Sequence, residues 1–413
     1  MKMSVRAAVC VLSALFISSV LTAQESSPEP GSFVISEINL HIDGITREGA
    51  LMKNLEGLSV GTVLENEAAL KAYIDDQTQQ LVNLRQLKED ARIEYSTSPR
   101  TDGATDVVLD IYTEDTWNII VFPIPEYDSN NGLSVTLKYR DKNFFGTLER
   151  FALDLAWEKK SDTTTYSVAG DFTLPFEWLQ YQWYWNTGLD WELVDGEHDL
   201  NTSTSLGIDI PMGPLEPTFT VEEAYNYDTD DIDTSWLTTK IDLAETFKTG
   251  LVLPGFGEFS YTPAVFAQVD YKPDGTISEG KEGLETGFTH SLGAGRVDWI
   301  GNFRKGVDFS VSNTNTYNLQ HDYWDQEVRG SLAGYYPLPF KILWWPFAVS
   351  GRAAGIADFD GGAEDVASYM RGIRDDKMGD YADYGAFINT DLTMSAFTIP
   401  RFVEGQGSVY FDA

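Results

Sequence analysis

The chain has 413 residues with 64 acidic against 29 basic side chains, a net charge of −35, and lacks the basic face that a phosphate backbone demands, so nucleic acid is not among its expected partners. Aromatic residues are abundant (11 Trp, 20 Tyr, 23 Phe), yet beyond the amino-terminal apolar run no segment approaches the ~18 continuous apolar residues of a membrane-spanning helix. A helical membrane protein is thereby excluded, whereas a membrane β-barrel, whose strands alternate lipid-facing and lumen-facing side chains, is not.

Residues 1–23 read as an export signal. Lys2 and Arg6 flank the start, Ala7 to Val20 is apolar, and Leu21-Thr22-Ala23 puts a small residue ahead of Gln24. The run is too short for a spanning helix. The single cysteine, Cys10, lies inside that run, which argues against a lipoprotein anchor and leaves the mature chain without disulfides or thiolate metal sites. Residues 24–32, rich in Ser, Pro and Glu, form a linker.

From residue 33 to 115 the pattern is that of a small α+β domain. Val34 to Ile42 alternates apolar and polar residues as a strand and ends in the Asp43-Gly44 turn signal. A short helix is expected over Arg47 to Leu55, a loop over Gly57 to Thr62, and a longer helix from Glu65, with Leu70, Tyr73, Ile74, Leu81 and Leu84 at helical spacing. Strands at Ala91 to Thr97 and Asp106 to Thr113 complete the order strand, helix, helix, strand, strand. That order, the Ile42-Asp43-Gly44 turn, the Leu58-Ser59-Val60-Gly61 loop and the Val107-Val108-Leu109-Asp110-Ile111 strand resemble a POTRA domain. The resemblance implies a periplasmic unit that takes up polypeptide clients by adding a strand to an exposed sheet edge.

From Trp117 onward, residues 116–413 read as an outer-membrane β-barrel. Leu133, Val135, Leu137 and Tyr139 alternate with Ser134, Thr136, Lys138 and Arg140, and Phe151, Leu153, Leu155 and Trp157 alternate with Ala152, Asp154, Ala156 and Glu158. One face of each suits lipid and the other water, over the length a tilted strand needs to cross a bilayer. Tyr181, Trp183, Trp185 and Trp191 share one face, and Leu343-Trp344-Trp345-Pro346-Phe347 is a second aromatic cluster, as expected where rings gather at membrane interfaces. Short turns are read at Asp141 to Gly146 and Pro211 to Pro214, and long acidic loops at Asp195 to Leu200, Tyr227 to Thr234 and Lys272 to Glu282.

Asp141-Lys142-Asn143-Phe144-Phe145-Gly146-Thr147 looks like the early barrel turn of BamA-type proteins of the outer-membrane polypeptide-transport superfamily, where an Asn, an aromatic residue and a Gly stand at this place. By this resemblance Asn143, Phe144 and Gly146 are the turn motif. Met370-Arg371-Gly372-Ile373 is similar to that family's Val-Arg-Gly-aromatic motif, with Met370 and Ile373 departing from the pattern. Asn389 to Leu392 followed by Pro400 resembles the next strand, and Val409 to Asp412 the one after. The correspondence implies that Arg371, on a loop folded into the lumen, pairs with Asp412 and secondarily with Asp391, through charge-assisted hydrogen bonds that would hold the loop in place.

Two departures are expected. Roughly thirteen strands are read before Arg371, more than the family has there. The sequence given stops at Phe411-Asp412-Ala413, where the family continues through further strands to a terminal aromatic residue, so the barrel is read as incomplete. No enzyme chemistry is indicated: His41, His198, His290 and His321 are scattered, and neither His-Glu-x-x-His nor Gly-x-Ser-x-Gly occurs. Asp228, Asp230, Asp231 and Asp233 lack the Gly and terminal Glu of a calcium loop and read as a solvated loop. No metal or cofactor is expected.

The resemblance implies insertion or translocation of polypeptides at the bacterial outer membrane. Its partners would be unfolded outer-membrane or secreted clients, outer-membrane lipid and accessory periplasmic proteins. A passive pore or surface antigen on the same architecture is the alternative, and a barrel hydrolase, for which no nucleophile is recognisable, the third.

Overall fold

The structure, a computed structural model, describes residues 31–128, 132–160, 163–213, 215–228, 235–253, 256–272, 283–342, 344–359, 384–399 and 405–412. The expected signal sequence and most of the linker lie outside these. Backbone contacts divide the chain into two compact units: one holds the residues up to His41 with Gly57–Gln77 and Ile93–Tyr112, the other Ile42–Glu56, Thr78–Arg92 and the chain from Thr113 onward.

The elements follow the expected order with one addition, the two-residue β2 between the helices: β1 (Phe33–Asp43), α1 (Glu48–Lys53), β2 (Val63–Leu64), α2 (Glu67–Asn83), β3 (Arg92–Pro99) and β4 (Thr105–Glu114). Asn66 caps α2 by accepting the Ala69 N–H at 2.9 Å. The sheet order is β2-β1-β4-β3, which puts the two hydrophobic strands in its centre. In β4 the alternation is complete, with Val107, Leu109 and Ile111 at 0% exposure. In the first unit Ile35, Leu58 and Leu70 are buried as well. Each fully buried aliphatic side chain contributes ~1.5–3 kcal/mol, enough to fix the register of a strand with one wet face.

Among the described residues of the second unit, sixteen antiparallel strands form one sheet: β5 (Ile119–Asp128), β6 (Gly132–Asp141), β7 (Phe151–Lys160), β8 (Thr163–Trp178), β9 (Tyr181–Val194), β10 (Glu197–Asp209), β11 (Thr218–Asp228), β12 (Trp236–Ala244), β13 (Phe247–Leu253), β14 (Gly257–Tyr271), β15 (Gly283–Ile300), β16 (Phe303–Asn318), β17 (Tyr323–Ile342), β18 (Trp345–Asp358), β19 (Tyr384–Ile399) and β20 (Gly405–Asp412). Among the described residues β5 and β20, the two ends, are not paired with each other. Fourteen of the sixteen, all but β19 and β20, precede residue 370. This is in line with the roughly thirteen read from the sequence, since one of them, β13, is a short strand that pairs with β14 off the main path.

The register makes the polarity of the sheet explicit. Pro123, Leu137, Leu155, Val168, Trp191, Leu200 and Tyr227 stand opposite one another across seven successive strands. One residue along, on the other face, the row reads Lys138, Asp154, Ala169, Asp190, Asn201 and Asn226. The apolar face is the exposed one: Leu133, Val135 and Leu137 are 44%, 37% and 40% exposed. The polar face is concave, because side chains from β6 through β12 line a single hollow of about 530 Å³. No helix among the described residues is long and apolar enough to cross a membrane.

One loop expectation is overturned. Asp195 to Leu200 is not a long loop: Asp195 and Gly196, with φ of 51° and 103°, make a two-residue hairpin turn and β10 begins at Glu197. Asp-Gly is the sequence such a turn favours, and the acidic residues after it are the polar-face positions of β10. The other two acidic loops lie mostly outside the described residues. The Pro211 turn is compact, closed by a 2.7 Å bond from the Met212 N–H to the Leu215 carbonyl.

Candidate functional site

The best-built polar site in the second unit gathers the β6–β7 turn, Ile45–Thr46 and Asp115. Asn143 is completely buried. Its backbone N–H donates to Asp141 Oδ1 at 3.0 Å, and its side-chain Oδ1 accepts the Leu148 N–H at 2.8 Å. Asn143 Nδ2 donates to Thr46 Oγ1 at 2.8 Å and to Asp115 Oδ2 at 3.3 Å. The Asp115 carboxylate also accepts the Ile45 N–H at 2.7 Å, the Thr46 N–H at 3.1 Å and the Thr46 hydroxyl at 2.6 Å. A buried amide that must donate to a carboxylate and accept from a backbone N–H has to be Asn, since Asp offers no donor and would set two carboxylates together.

Two glycines make this approach possible. Gly146 has φ +73°, and a Cβ there would lie 1.9 Å from the Ile45 carbonyl oxygen; at Gly44, φ +147°, a Cβ would lie 2.3 Å from the Asp115 side chain. The Arg47 N–H donates to the Gly146 carbonyl at 2.8 Å. Phe144 turns outward from the network into an aromatic cluster, with Phe151 and Phe172 at 5.0 Å and 5.8 Å between ring centroids. The three motif residues singled out by resemblance thus have distinct duties: Asn143 bonds, Gly146 gives clearance, Phe144 packs. Thr46, Asp115 and Gly44 were not singled out in the sequence, where the Asp43-Gly44 pair signalled only a turn.

The same segments are fastened at other strand ends. Lys53 Nζ donates to Tyr184 Oη at 2.6 Å, and that hydroxyl donates to Asp209. Burial lowers the Lys53 pKa from its ordinary value, opposed by the Asp209 charge. Asn83 accepts the Trp299 N–H at 2.8 Å and donates to Asp298 Oδ1 at 3.0 Å, and Gln79 donates to the Trp299 carbonyl at 3.1 Å. In the turn itself, burial first and the Arg85 charge second lower the Lys142 pKa.

Of the arginine-loop residues, Met370, Arg371, Gly372 and Ile373 lie outside the described residues. Their proposed partners are brought together: Asp391 and Asp412 stand opposite each other in the β19–β20 register. Asp391 accepts from Ser350 Oγ at 3.4 Å and lines a polar-face hollow of about 510 Å³ shared with Arg304, Arg352, Tyr335 and Asn389. No group of three His, Cys, Asp or Glu side chains among the described residues could hold a metal ion.

A feature that sequence reading missed lies on the exposed apolar face. Glu223 shares that face with Val221 and stands opposite Thr204 and Thr239. It accepts hydrogen bonds from Thr239 Oγ1 and from Tyr271 Oη, at 2.5 Å and 2.6 Å. In Glu222-Glu223 only the register tells which carboxylate faces out.

No family model matches the sequence, and no curated protein matches it. Among solved structures the chain is similar to CdiB from Acinetobacter baumannii, at 14% identity and a TM-score of 0.47 over 89% of this chain and 61% of that one. It is also similar to CdiB from Escherichia coli (10% identity, TM-score 0.38, 95% of this chain and 92% of that one). A third likeness is to BamA from Haemophilus ducreyi lacking POTRA domains 1–3 (11% identity, TM-score 0.35, 92% and 81%). The chain therefore spans about three fifths of the length of the first of these.

Proposed function

We propose that the chain is an outer-membrane β-barrel protein that inserts polypeptides into the membrane or passes them across it. In this reading residues 33–115 are a POTRA-like periplasmic domain that receives unfolded clients by strand pairing. The sheet's outward apolar rows and concave polar face support a membrane barrel, since they invert the polarity of a soluble sheet. The observation that carries the polypeptide reading is β3, an eight-residue edge strand of the four-stranded sheet that pairs among the described residues with β4 alone. An edge strand of this length offers its backbone to a strand-shaped partner, for which a solute pore has no use. No catalytic step, metal or cofactor enters this reading.

Depletion of the protein tests it. A fall in the level of other outer-membrane proteins, or of one secreted partner, is the expected result. A change in solute uptake with the outer-membrane and secreted proteins intact would instead establish a passive pore, the second reading, which the polar hollow favours.

A further inference from the structure

The outward side chains of β11 are Phe219, Val221, Glu223, Tyr225 and Tyr227. Glu223 is the central one, four residues from Phe219 and four from Tyr227, so a ring stands about 13 Å away along the strand on either side. β11 has eleven residues, the length a tilted strand needs to cross a bilayer. The spacing puts the aromatic residues at the two interfaces and the carboxylate at mid-depth. The register extends this polar level over four neighbouring strands: Thr187 stands opposite Thr204, Thr204 opposite Glu223, and Glu223 opposite Thr239. Two residues nearer the turn end of β11, the adjacent row is Trp185, Leu206, Val221 and Ile241, all 40–45% exposed.

Thr239 and Tyr271 hold the Glu223 carboxylate across the strands by their hydroxyls, and Trp185 Nε1 donates to Thr204 Oγ1 at 3.0 Å. None of these donors carries a charge, and among the described residues no Lys, Arg or His pairs with Glu223. A charged side chain within a membrane ordinarily faces the protein interior or meets an opposite charge, because hydrocarbon does not solvate it. Glu223 does neither. A second copy docked symmetrically on this face would bring two such carboxylates together, so self-association does not supply the missing charge. We propose that the outward row Thr187, Thr204, Glu223 and Thr239, with the exposed apolar row beside it, docks a membrane-spanning segment of another protein that carries a Lys or Arg at mid-depth. The cation meets Glu223, the threonine oxygens accept its remaining N–H groups, and the apolar row packs against the segment's flank. The docking rests on the membrane-barrel reading above and needs no client transport.

The test uses the full mature chain carrying Ile241→Cys, folded into phosphatidylcholine vesicles; the one natural cysteine, Cys10, lies within the expected signal. The probe is a synthetic membrane-spanning helix of about 20 leucine and alanine residues with one cysteine and, a helical turn away, either a central Lys or a central Leu. The expected result is roughly tenfold more disulfide capture of the Lys peptide than of the Leu peptide, the factor that one charge-assisted contact supplies. Glu223→Gln, which keeps the side chain's shape, should bring the Lys peptide down to the yield of the Leu peptide. The Leu peptide's own yield should stay unchanged, which shows that the face is still folded. Equal capture of the two peptides, or a Lys preference that survives Glu223→Gln, overturns the proposal. Capture of neither also overturns it, and a water-soluble maleimide then separates the causes. If position 241 stays protected, the membrane reading stands and the docking alone fails; if it reacts, the face is wet and the membrane reading fails with it.

Discussion

β4 and β6 carry the same period-two alternation and put it to opposite use. In β4 Val107, Leu109 and Ile111 are fully buried, whereas in β6 Leu133, Val135 and Leu137 are 37–44% exposed and the polar partners face inward. The difference teaches that alternation fixes a strand and its two faces but not which face is wet. That choice comes from what lies opposite: a helix-backed core in the first unit, a polar hollow in the second.

A charge placed at equivalent positions separates the two strands most strongly. Leu109→Lys buries an unpaired ammonium in a sealed core and should abolish folding of the first unit, a loss on the order of 4 kcal/mol or more, seen as collapse of its amide protection in hydrogen exchange. On the proposed membrane reading Leu137→Lys should cost ~2–4 kcal/mol in urea unfolding from lipid vesicles, the penalty of a cation turned towards lipid. A change within about 0.5 kcal/mol would mean that this face is wet and would cancel the contrast.

The fastening at the β6–β7 turn belongs to the second unit yet is buried like a soluble core. Asn143→Asp should destabilise by ~2–3 kcal/mol, more than Asn143→Ala, because it removes the donor and adds a carboxylate beside Asp115. Unfolding midpoints of the two variants at neutral pH decide the order, and equal losses would show that volume rather than charge matters there. The smallest effect concerns Lys142, which releases its proton at lower pH when folded than when unfolded. Between those two values the unfolded chain holds the extra proton, so stability climbs as pH rises towards the ordinary lysine range. Lys142→Met should flatten that climb, as read from unfolding midpoints at several alkaline pH values.

Much of the fold was legible in the sequence because local signals and tertiary demands agree. The expected strand Val34 to Ile42 is Phe33–Asp43, the expected first helix is Glu48–Lys53, and the alternation of residues 133–140 and 151–158 survives in the register. Asn143 and Gly146 were found only through resemblance, since nothing in a local pattern says that an amide will be buried against a residue distant in sequence. Asp115 was missed because a carboxylate at a strand end is ordinarily solvated. Asp195 was misread because acidity was taken as the mark of a loop, when the glycine after it was the stronger signal.

The Asp115 network also closes two loops of unequal length. Asp115 lies 69 residues from Thr46 but only 28 from Asn143. One carboxylate thus ties a distant segment and a near turn to the same point, and the chain entropy lost in bringing Thr46 up also orders the acceptor for Asn143. Hairpins that follow, such as β8–β9 and β9–β10, are joined by short loops, each closed at a far smaller cost in chain entropy.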